Sequence, residues 1–296
     1  MKICTLCPRM CAVDRKSGER GICGQTTEIK VARAALHFWE EPCISGEMGS
    51  GAVFFSGCAL HCVFCQNENI ANGTAGKVIS TERLGEIFLE LQEKGANNIN
   101  LVTPGQFVPQ IIKAVELARN QNLKIPIVYN TSSYENVDTI RSLEGIVDIY
   151  LPDFKYFDTA LSAKYSHAPD YPAVAKAVIA EMVRQTGAAV FENGEDSLMK
   201  RGTIVRHLIL PGCRYSKAVL KYLHETYENQ IYISIMHQFT PLSNVKKYPE
   251  LNRKITDREY DEVIDFAIDI GIENGFIQEG ETAEESFIPE FDNEGV

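Results

Sequence analysis

Three cysteines, Cys58, Cys62 and Cys65, carry the most definite chemistry in the chain. They are spaced C-x3-C-x2-C within Ser56-Gly57-Cys58-Ala59-Leu60-His61-Cys62-Val63-Phe64-Cys65, directly after the apolar run 52–56. Three thiolates on one tight loop can each hold one iron of a [4Fe–4S] cube. They leave the fourth iron open to a chelating ligand, unlike the four-thiolate sets of electron-transfer clusters. A zinc site is the competing reading, but such sites usually draw on four ligands, often in C-x2–4-C pairs.

A second set precedes it. Cys4-x2-Cys7-x3-Cys11-x11-Cys23 supplies four thiols within a short stretch punctuated by Pro8, Gly18, Gly21 and Gly24. Residues 1–27 have little apolar periodicity and read as a small metal-binding module, because so short a piece builds little core of its own. Zinc and an auxiliary [4Fe–4S] cluster both accept four thiolates. Zinc is preferred here because nothing in the segment argues for a redox role. Arg9, Arg15 and Arg20 would lower the thiol pKa values and offset thiolate charge. Cys43 and Cys213 stand apart and read as core thiols. His37 and Trp39 are candidates for lining a cavity near the cluster, with a core histidine as the equal alternative.

Elements that could position these residues follow from periodicity. Ile29, Val31 and Ala35 suggest an introductory strand. Apolar strand patterns then fall at 52–56, 98–102, 125–129, 147–151, 203–210 and 231–235. Helical i, i+3, i+4, i+7 patterns fall between and after them, at 81–94 and around 108–115, and helices are expected near 134–144, 171–186, 216–228 and 257–270. Six strand–helix units in series predict an α/β fold with a parallel sheet, a partial (β/α)6 barrel. Its chemistry is expected at the C-terminal ends of the strands. Residues 188–202, with Asn193-Gly194, read as a hairpin-like insertion. The expected division is 1–27 module, 28–278 barrel and 279–296 acidic C-terminal segment.

The cluster loop, with Phe64 before its third cysteine, resembles the radical S-adenosylmethionine (SAM) superfamily. Cys4-Thr-Leu-Cys7-Pro-Arg-Met-Cys11, His37-Phe-Trp-Glu-Glu-Pro-Cys43, Leu151-Pro-Asp-Phe-Lys155, Arg206-His-Leu-Ile-Leu-Pro-Gly212 and Met236-His-Gln-Phe-Thr-Pro241 are similar to the PflX-type relatives of pyruvate formate-lyase activating enzyme. The resemblance implies reductive cleavage of SAM at the [4Fe–4S] cluster to a 5′-deoxyadenosyl radical. That radical would abstract hydrogen from a protein or peptide, with a small molecule as the rival substrate. An iron–sulfur carrier or scaffold without SAM chemistry is the rival of another class. The implied SAM contacts are Thr103, in a segment Thr103-Pro-Gly-Gln106 that departs from the family's Gly-Gly-Glu pattern, and Asp153 and Lys155, an Asp-x-Lys element. Arg206, Met236 and Gln238 follow on later strands. Asn130 and Ser132, polar residues after the third strand, could bind the ribose or carboxylate of SAM. A reductant such as flavodoxin or ferredoxin is the implied partner.

Charge narrows the remaining classes. The formal net charge is −11, and residues 259–296 carry thirteen acidic residues and no Lys or Arg. Residues 1–33 lean basic, with seven Lys/Arg against three Asp/Glu. This asymmetry argues against a chain-wide nucleic-acid surface, and the C-terminal acids read as a solvated face. No run approaches eighteen apolar residues, so no membrane span is expected. The first residues lack an apolar signal core, so a cytoplasmic protein is the expectation.

Overall fold

The structure is a computed structural model that describes residues 3–192, 197–213, 215–278 and 290–296. After the cysteine-rich segment, β1 (Ile29–His37) leads through the single turn α1 (Pro42–Ser45) into β2 (Ser50–Phe55). The thiol-bearing loop follows, then α2 (Glu68–Ala71) and β3 (Lys77–Ile79). The alternating part comprises α3 (Thr81–Glu93), β4 (Ile99–Val102), α4 (Val108–Asn120), β5 (Ile127–Thr131), α5 (Val137–Arg141) and β6 (Ile149–Pro152). It continues with α6 (Thr159–Ser166), α7 (Tyr171–Thr186), β7 (Val190–Phe191), β8 (Met199–Leu208), α8 (Ser216–Tyr227), β9 (Tyr232–Met236), α9 (Asp257–Asp269) and β10 (Gly275–Ile277).

The sheet order is β10-β9-β8-β6-β5-β4-β2-β1-β3. From β2 through β10 every neighbouring pair is parallel, whereas β1 runs antiparallel to both β2 and β3. The fold is therefore α/β with a mostly parallel sheet, in keeping with a partial radical SAM barrel. The parallel strands number seven, not the expected six. β10 is three residues long and carries too little apolar pattern to show in the sequence. All four residues of β4 are buried, as a strand covered on both faces requires. Leu84, Ile87, Phe88 and Leu91 form the buried stripe of α3, and Ser80 caps that helix by accepting from the Arg83 amide at 3.1 Å.

Local boundaries differ from expectation for physical reasons. The helix anticipated near 134–144 is only the five residues of α5, because 132–136 are spent on a strand-end loop in which Ser133 is left-handed at φ 62° and Glu135 is buried. β5 also runs two residues past 129, so Asn130 and Thr131 lie within the strand. The insertion is a hairpin of β7 against the start of β8, whose expected turn at Asn193-Gly194 lies outside the described residues. β8 consequently begins at Met199 instead of 203. α6 was not anticipated.

Neither terminus floats free of the barrel. Arg9 donates to the Ala59 carbonyl at 2.8 Å and the Ser166 carbonyl at 3.0 Å, and Thr139 donates to the Leu6 carbonyl at 2.7 Å. Of the C-terminal segment 279–296, residues 279–289 lie outside the described residues. Residues 290–296 are strapped to β1: the Ala34 amide donates to the Glu294 carbonyl at 2.8 Å, and Arg33 pairs with Asp292 at 3.1 Å and with Glu294. The acids there remain half exposed, as a solvated face would have them, but their backbone is fixed. Among the described residues no helix is long and apolar enough to cross a membrane.

Two measurements test this packing. Leu84→Ala should cost ~2–5 kcal/mol in urea unfolding, the range for emptying a fully buried leucine site. A cost under 1 kcal/mol would mean that α3 does not seal the core. The second test is His207, buried on β8, which donates from Nδ1 to the Phe154 carbonyl at 2.8 Å and accepts at Nε2 from Ser216 at 2.9 Å. Burial holds its imidazole down to about 4, from an ordinary 6.5. The unfolded chain therefore takes up the proton first as pH falls. This stability is present above pH 6.5 and is lost between 6.5 and 4, ~3 kcal/mol in all. His207→Gln should flatten the stability–pH slope in that window, and an unchanged slope would refute the assignment.

Candidate active site

The parallel strands deliver their C-terminal ends to one mouth, and β2 delivers the thiol loop there. Gly57 is left-handed at φ 90°, and a Cβ at that position would sit 2.5 Å from the Cys23 carbonyl oxygen. Only glycine lets the loop turn so close to the N-terminal segment. Phe64 is buried behind the loop, with ring centroids 6.4 Å from Tyr156 and 6.1 Å from Phe239. The Val63 amide donates to the Tyr165 carbonyl at 2.8 Å, and Asn244 donates to the Cys65 carbonyl at 3.2 Å. Gln66 donates to the Gln238 carbonyl at 2.8 Å, tying the loop to the end of β9. Ser166 donates to the Cys62 sulfur at 3.0 Å. Burial pushes the Cys62 thiol up to about 11 and the Cys65 thiol up to about 12, with Lys155 pulling both the other way. Such thiols ionise readily only when a metal takes the charge.

The three thiols border a cavity of about 260 Å³. All eight sequence candidates for SAM contacts, Thr103, Asn130, Ser132, Asp153, Lys155, Arg206, Met236 and Gln238, line the same cavity, as do His37 and Trp39. Lys155 Nζ lies 2.6 Å from Asp153 Oδ2, and Arg206 Nε donates to Asp153 Oδ1 at 3.0 Å. Arg206 also donates to Asn130 Oδ1 at 2.6 Å. Burial would raise the Asp153 carboxyl, but Lys155 and Arg206 outweigh it and hold the group below its ordinary value. Asp153 in turn keeps the Lys155 ammonium above its ordinary value against the pull of burial. Tyr171 fixes this pair from behind: its hydroxyl donates to the Asp153 carbonyl at 2.9 Å and accepts from the Lys155 amide at 3.0 Å. Thr103 is left-handed at φ 55°, unusual for a β-branched residue, and its carbonyl accepts from Gln106 at 2.8 Å.

The sequence reading missed Glu40. Its side chain is 9% exposed, lies 3.3 Å from Arg206 and accepts from Asn100 at 2.9 Å. Burial raises its carboxyl, opposed by Arg206. No spacing rule marks it; it lies in the connection between β1 and α1 and reaches the mouth only because β1 is antiparallel to β2. The wall is therefore two cations interleaved with two carboxylates, with Phe54, Leu208 and Met236 as apolar neighbours. Such a wall suits a zwitterionic amino-acid group joined to a flat apolar body. The thiols frame a cavity instead of a point: among the described residues no three His, Cys, Asp or Glu side chains are gathered as one ion requires. A multi-iron group with one open iron fits these donors.

Cys4, Cys7, Cys11 and Cys23 line a separate cavity, and Cys58 borders both. Cys43 is buried in an apolar cluster with Ile44, Val128 and Ile149, whereas Cys213 is only partly covered. The carboxyl of Glu135, also unmarked in the sequence, is pushed up by burial to about 7 and faces the N-terminal cavity.

The charged wall makes a stability prediction. Arg206→Met would leave Glu40 buried without its cation and Asp153 with Lys155 alone, a loss of ~3–5 kcal/mol by denaturation. A change below 1 kcal/mol would show that Arg206 does not neutralise the wall.

Comparison with known proteins places the site in a family. Residues 52–181 match the family model described as the radical SAM superfamily, a span that takes in the thiol loop, Thr103, Asn130, Ser132, Asp153 and Lys155. The chain is 26% identical over 276 residues to an uncharacterized protein of Methanocaldococcus jannaschii, covering 90% of this chain and 74% of that one. Among solved structures it is similar to methylornithine synthase at 13% identity and a TM-score of 0.45, over 74% of this chain and 68% of the other. It is also similar to the FeFe-hydrogenase maturase HydG from Carboxydothermus hydrogenoformans at 12% identity and a TM-score of 0.45, over 80% of this chain and 59% of the other. The match of residues 52–181 to the radical SAM superfamily supports a [4Fe–4S] cluster and S-adenosylmethionine as the groups that this site would hold.

Proposed function

We propose that this chain is an activating-enzyme-like radical SAM enzyme that abstracts a hydrogen atom from a protein or peptide. The observation that carries the reading is the single cavity shared by the three loop thiols and the charged strand ends. Cys58, Cys62 and Cys65 would hold the cluster. Asp153, Lys155, Arg206 and Asn130 would take the amino and carboxylate groups of SAM, with Thr103, Ser132, Met236 and Gln238 around the rest. When bound, the cluster supplies the electron that splits SAM into methionine and a 5′-deoxyadenosyl radical. The chain's own part is to orient and to exclude water: Phe54, Leu208 and Phe239 present apolar surface to the cavity, where a carbon radical must be shielded.

The peptide reading rests on the resemblance to pyruvate formate-lyase activating enzyme relatives and on the rim. Trp39 lines the cavity yet is 64% exposed, beside Phe38 at 50%. Exposed aromatics at a cavity mouth suit a macromolecular partner. A small-molecule substrate is the rival. An electron carrier without SAM chemistry is disfavoured, since it has no use for a buried charged wall facing its cluster. A flavodoxin or ferredoxin as reductant, a cytoplasmic location where thiols stay reduced, and the division at residues 27 and 278 belong to the same proposal.

Cys62→Ala should abolish 5′-deoxyadenosine formation under reducing conditions. Wild-type turnover with unchanged iron content in that variant would sink the cluster assignment. For the substrate, the enzyme is incubated with SAM and with deuterated cell extract separated into macromolecules and small molecules. Deuterium in 5′-deoxyadenosine only with the macromolecules supports a protein substrate. Deuterium transfer from the small-molecule fraction overturns it.

A further inference from the structure

The edge of β1 that faces away from β2 is taken by β3 only over Ile29–Val31. Just beyond, residues 290–296 lie on it as a strap. The Asn293 amide donates to the Ala32 carbonyl at 3.0 Å, and the Ala34 amide donates to the Glu294 carbonyl at 2.8 Å. Arg33, between them, donates to the Glu290 carbonyl at 3.0 Å and to Asp292 at 3.1 Å, and pairs with Glu294. Among the described residues only the strap answers this guanidinium. Phe291 places its ring 5.5 Å from Phe54, in an apolar group with Ala32, Ala52, Ile70 and Val102. Gly295 is left-handed at φ 72°, and a Cβ there would overlap the Ala34 carbonyl oxygen, so only glycine fits.

This seat adjoins the candidate active site. Phe54, Ile70 and Val102 belong both to the lining of the thiol-bordered cavity and to the apolar group that holds Phe291. Arg33 stands opposite Phe54 in the β1–β2 register, and Phe54 leads through Phe55 and Ser56 into the thiol loop.

The strap fits its seat as a replaceable occupant does. Asp292 and Glu294 are half exposed, so their pairing with Arg33 is weak and screened by salt. Asn293 Oδ1 is buried without a donor, a mismatch that another side chain would avoid. The strap also leaves part of the edge unused. Gly51, opposite Leu36, donates its amide to the Asn98 carbonyl at 2.9 Å, away from β1. Leu36 and Gly51 are therefore a non-hydrogen-bonded pair, and the N–H and C=O of Leu36 face the same edge as the Ala34 amide. No described residue pairs with them there. A longer extended segment gains bonds that the strap does not make.

We propose that this edge of β1, with Arg33 and the Phe54 seat, is the docking site for an extended acidic segment of the protein substrate, and that residues 290–296 are its intramolecular stand-in. The stand-in shows the chemistry of the partner. It has an aromatic side chain for Phe54, carboxylates at the next and third-next positions for Arg33, and a strand backbone for Ala32 and Ala34. Strand addition supplies affinity, and the aromatic seat and Arg33 supply selectivity. While the strap is seated the edge is closed. A substrate segment that displaces it docks beside the thiol loop. That the incoming segment belongs to a substrate rests on the proposed function; the exchange of strap for peptide does not.

The probe is a fluorescein-labelled synthetic peptide with the sequence of residues 290–296, and its anisotropy is read with the full chain. In the unaltered protein the strap competes with the probe from within the chain. Phe291→Ala/Gly295→Leu unseats the strap without changing its charge, and should bind the probe at least ~10-fold more tightly than the unaltered protein does. Adding Arg33→Glu should abolish that gain. A probe carrying Asp292→Lys and Glu294→Lys should restore it, which guards against a variant that fails to fold. Equal binding to the unaltered protein and the unseated variant, or binding indifferent to Arg33→Glu, overturns the proposal. In the deuterium assay the unlabelled peptide should raise KM for the macromolecular fraction and leave kcat unchanged. A peptide that binds at Arg33 without affecting transfer overturns substrate docking at this edge. Transfer from small molecules alone overturns the proposed function and the substrate's use of the edge, whereas the anisotropy result stands by itself.

Discussion

The mouth of this barrel is organised by the pairing of Arg206 with Asp153. The two side chains lie on adjacent parallel strands, β8 and the end of β6, and neither has much access to water. Taking such ions out of water costs several kcal/mol each unless every charge is answered. The answers come from four parts of the chain: Lys155 just past β6, Asn130 at the end of β5, Glu40 from the β1–α1 connection and Tyr171 from α7. Because each partner is needed to neutralise or orient another, the strand ends hold one relative position. The loop thiols face a wall set by this network, not by flexible side chains.

Packing and chemistry meet at the thiol loop. Phe64 anchors it in the same aromatic cluster that carries Tyr156, Tyr165 and Tyr171. Tyr156 hydrogen-bonds Ser166 at 2.8 Å, and Ser166 donates to the Cys62 sulfur. A donor to sulfur disperses thiolate charge and is one of the levers by which a protein tunes an iron–sulfur centre. The core beneath the loop therefore bears on its redox chemistry as well as its stability.

The N-terminal segment depends on the barrel, and the barrel in turn accommodates it. Arg9 spends its guanidinium on four backbone carbonyls of the thiol loop and the α6 C-terminus, and also stacks 5.0 Å over the Tyr134 ring. Gly57 must lack a side chain for the Cys23 backbone to approach. Two thiol sets far apart in sequence thereby become neighbours, with Cys58 bordering the cavities of both.

The sequence by itself determined the thiol spacings, the alternation of strands and helices and the positions of the polar strand ends. Each of these is a local pattern: ligand spacing within one loop, apolar period along one element, a polar residue ending an apolar run. Thr103, Asp153, Lys155 and Arg206 were visible as candidates through the family resemblance that their short motifs carry. What only the tertiary structure decided was non-local. Glu40 reaches Arg206 across 166 positions, and Tyr171 reaches Asp153 across 18. β10 is too short to announce itself and exists because β9 offers it an edge. The helix near 134–144 shrank because burying Glu135 cost it a turn. The shared wall between the two thiol sets follows from β2 ending beside the segment that precedes β1. Local patterns record what one element needs, whereas burial of charge and contact between distant backbones are properties of the assembled chain alone.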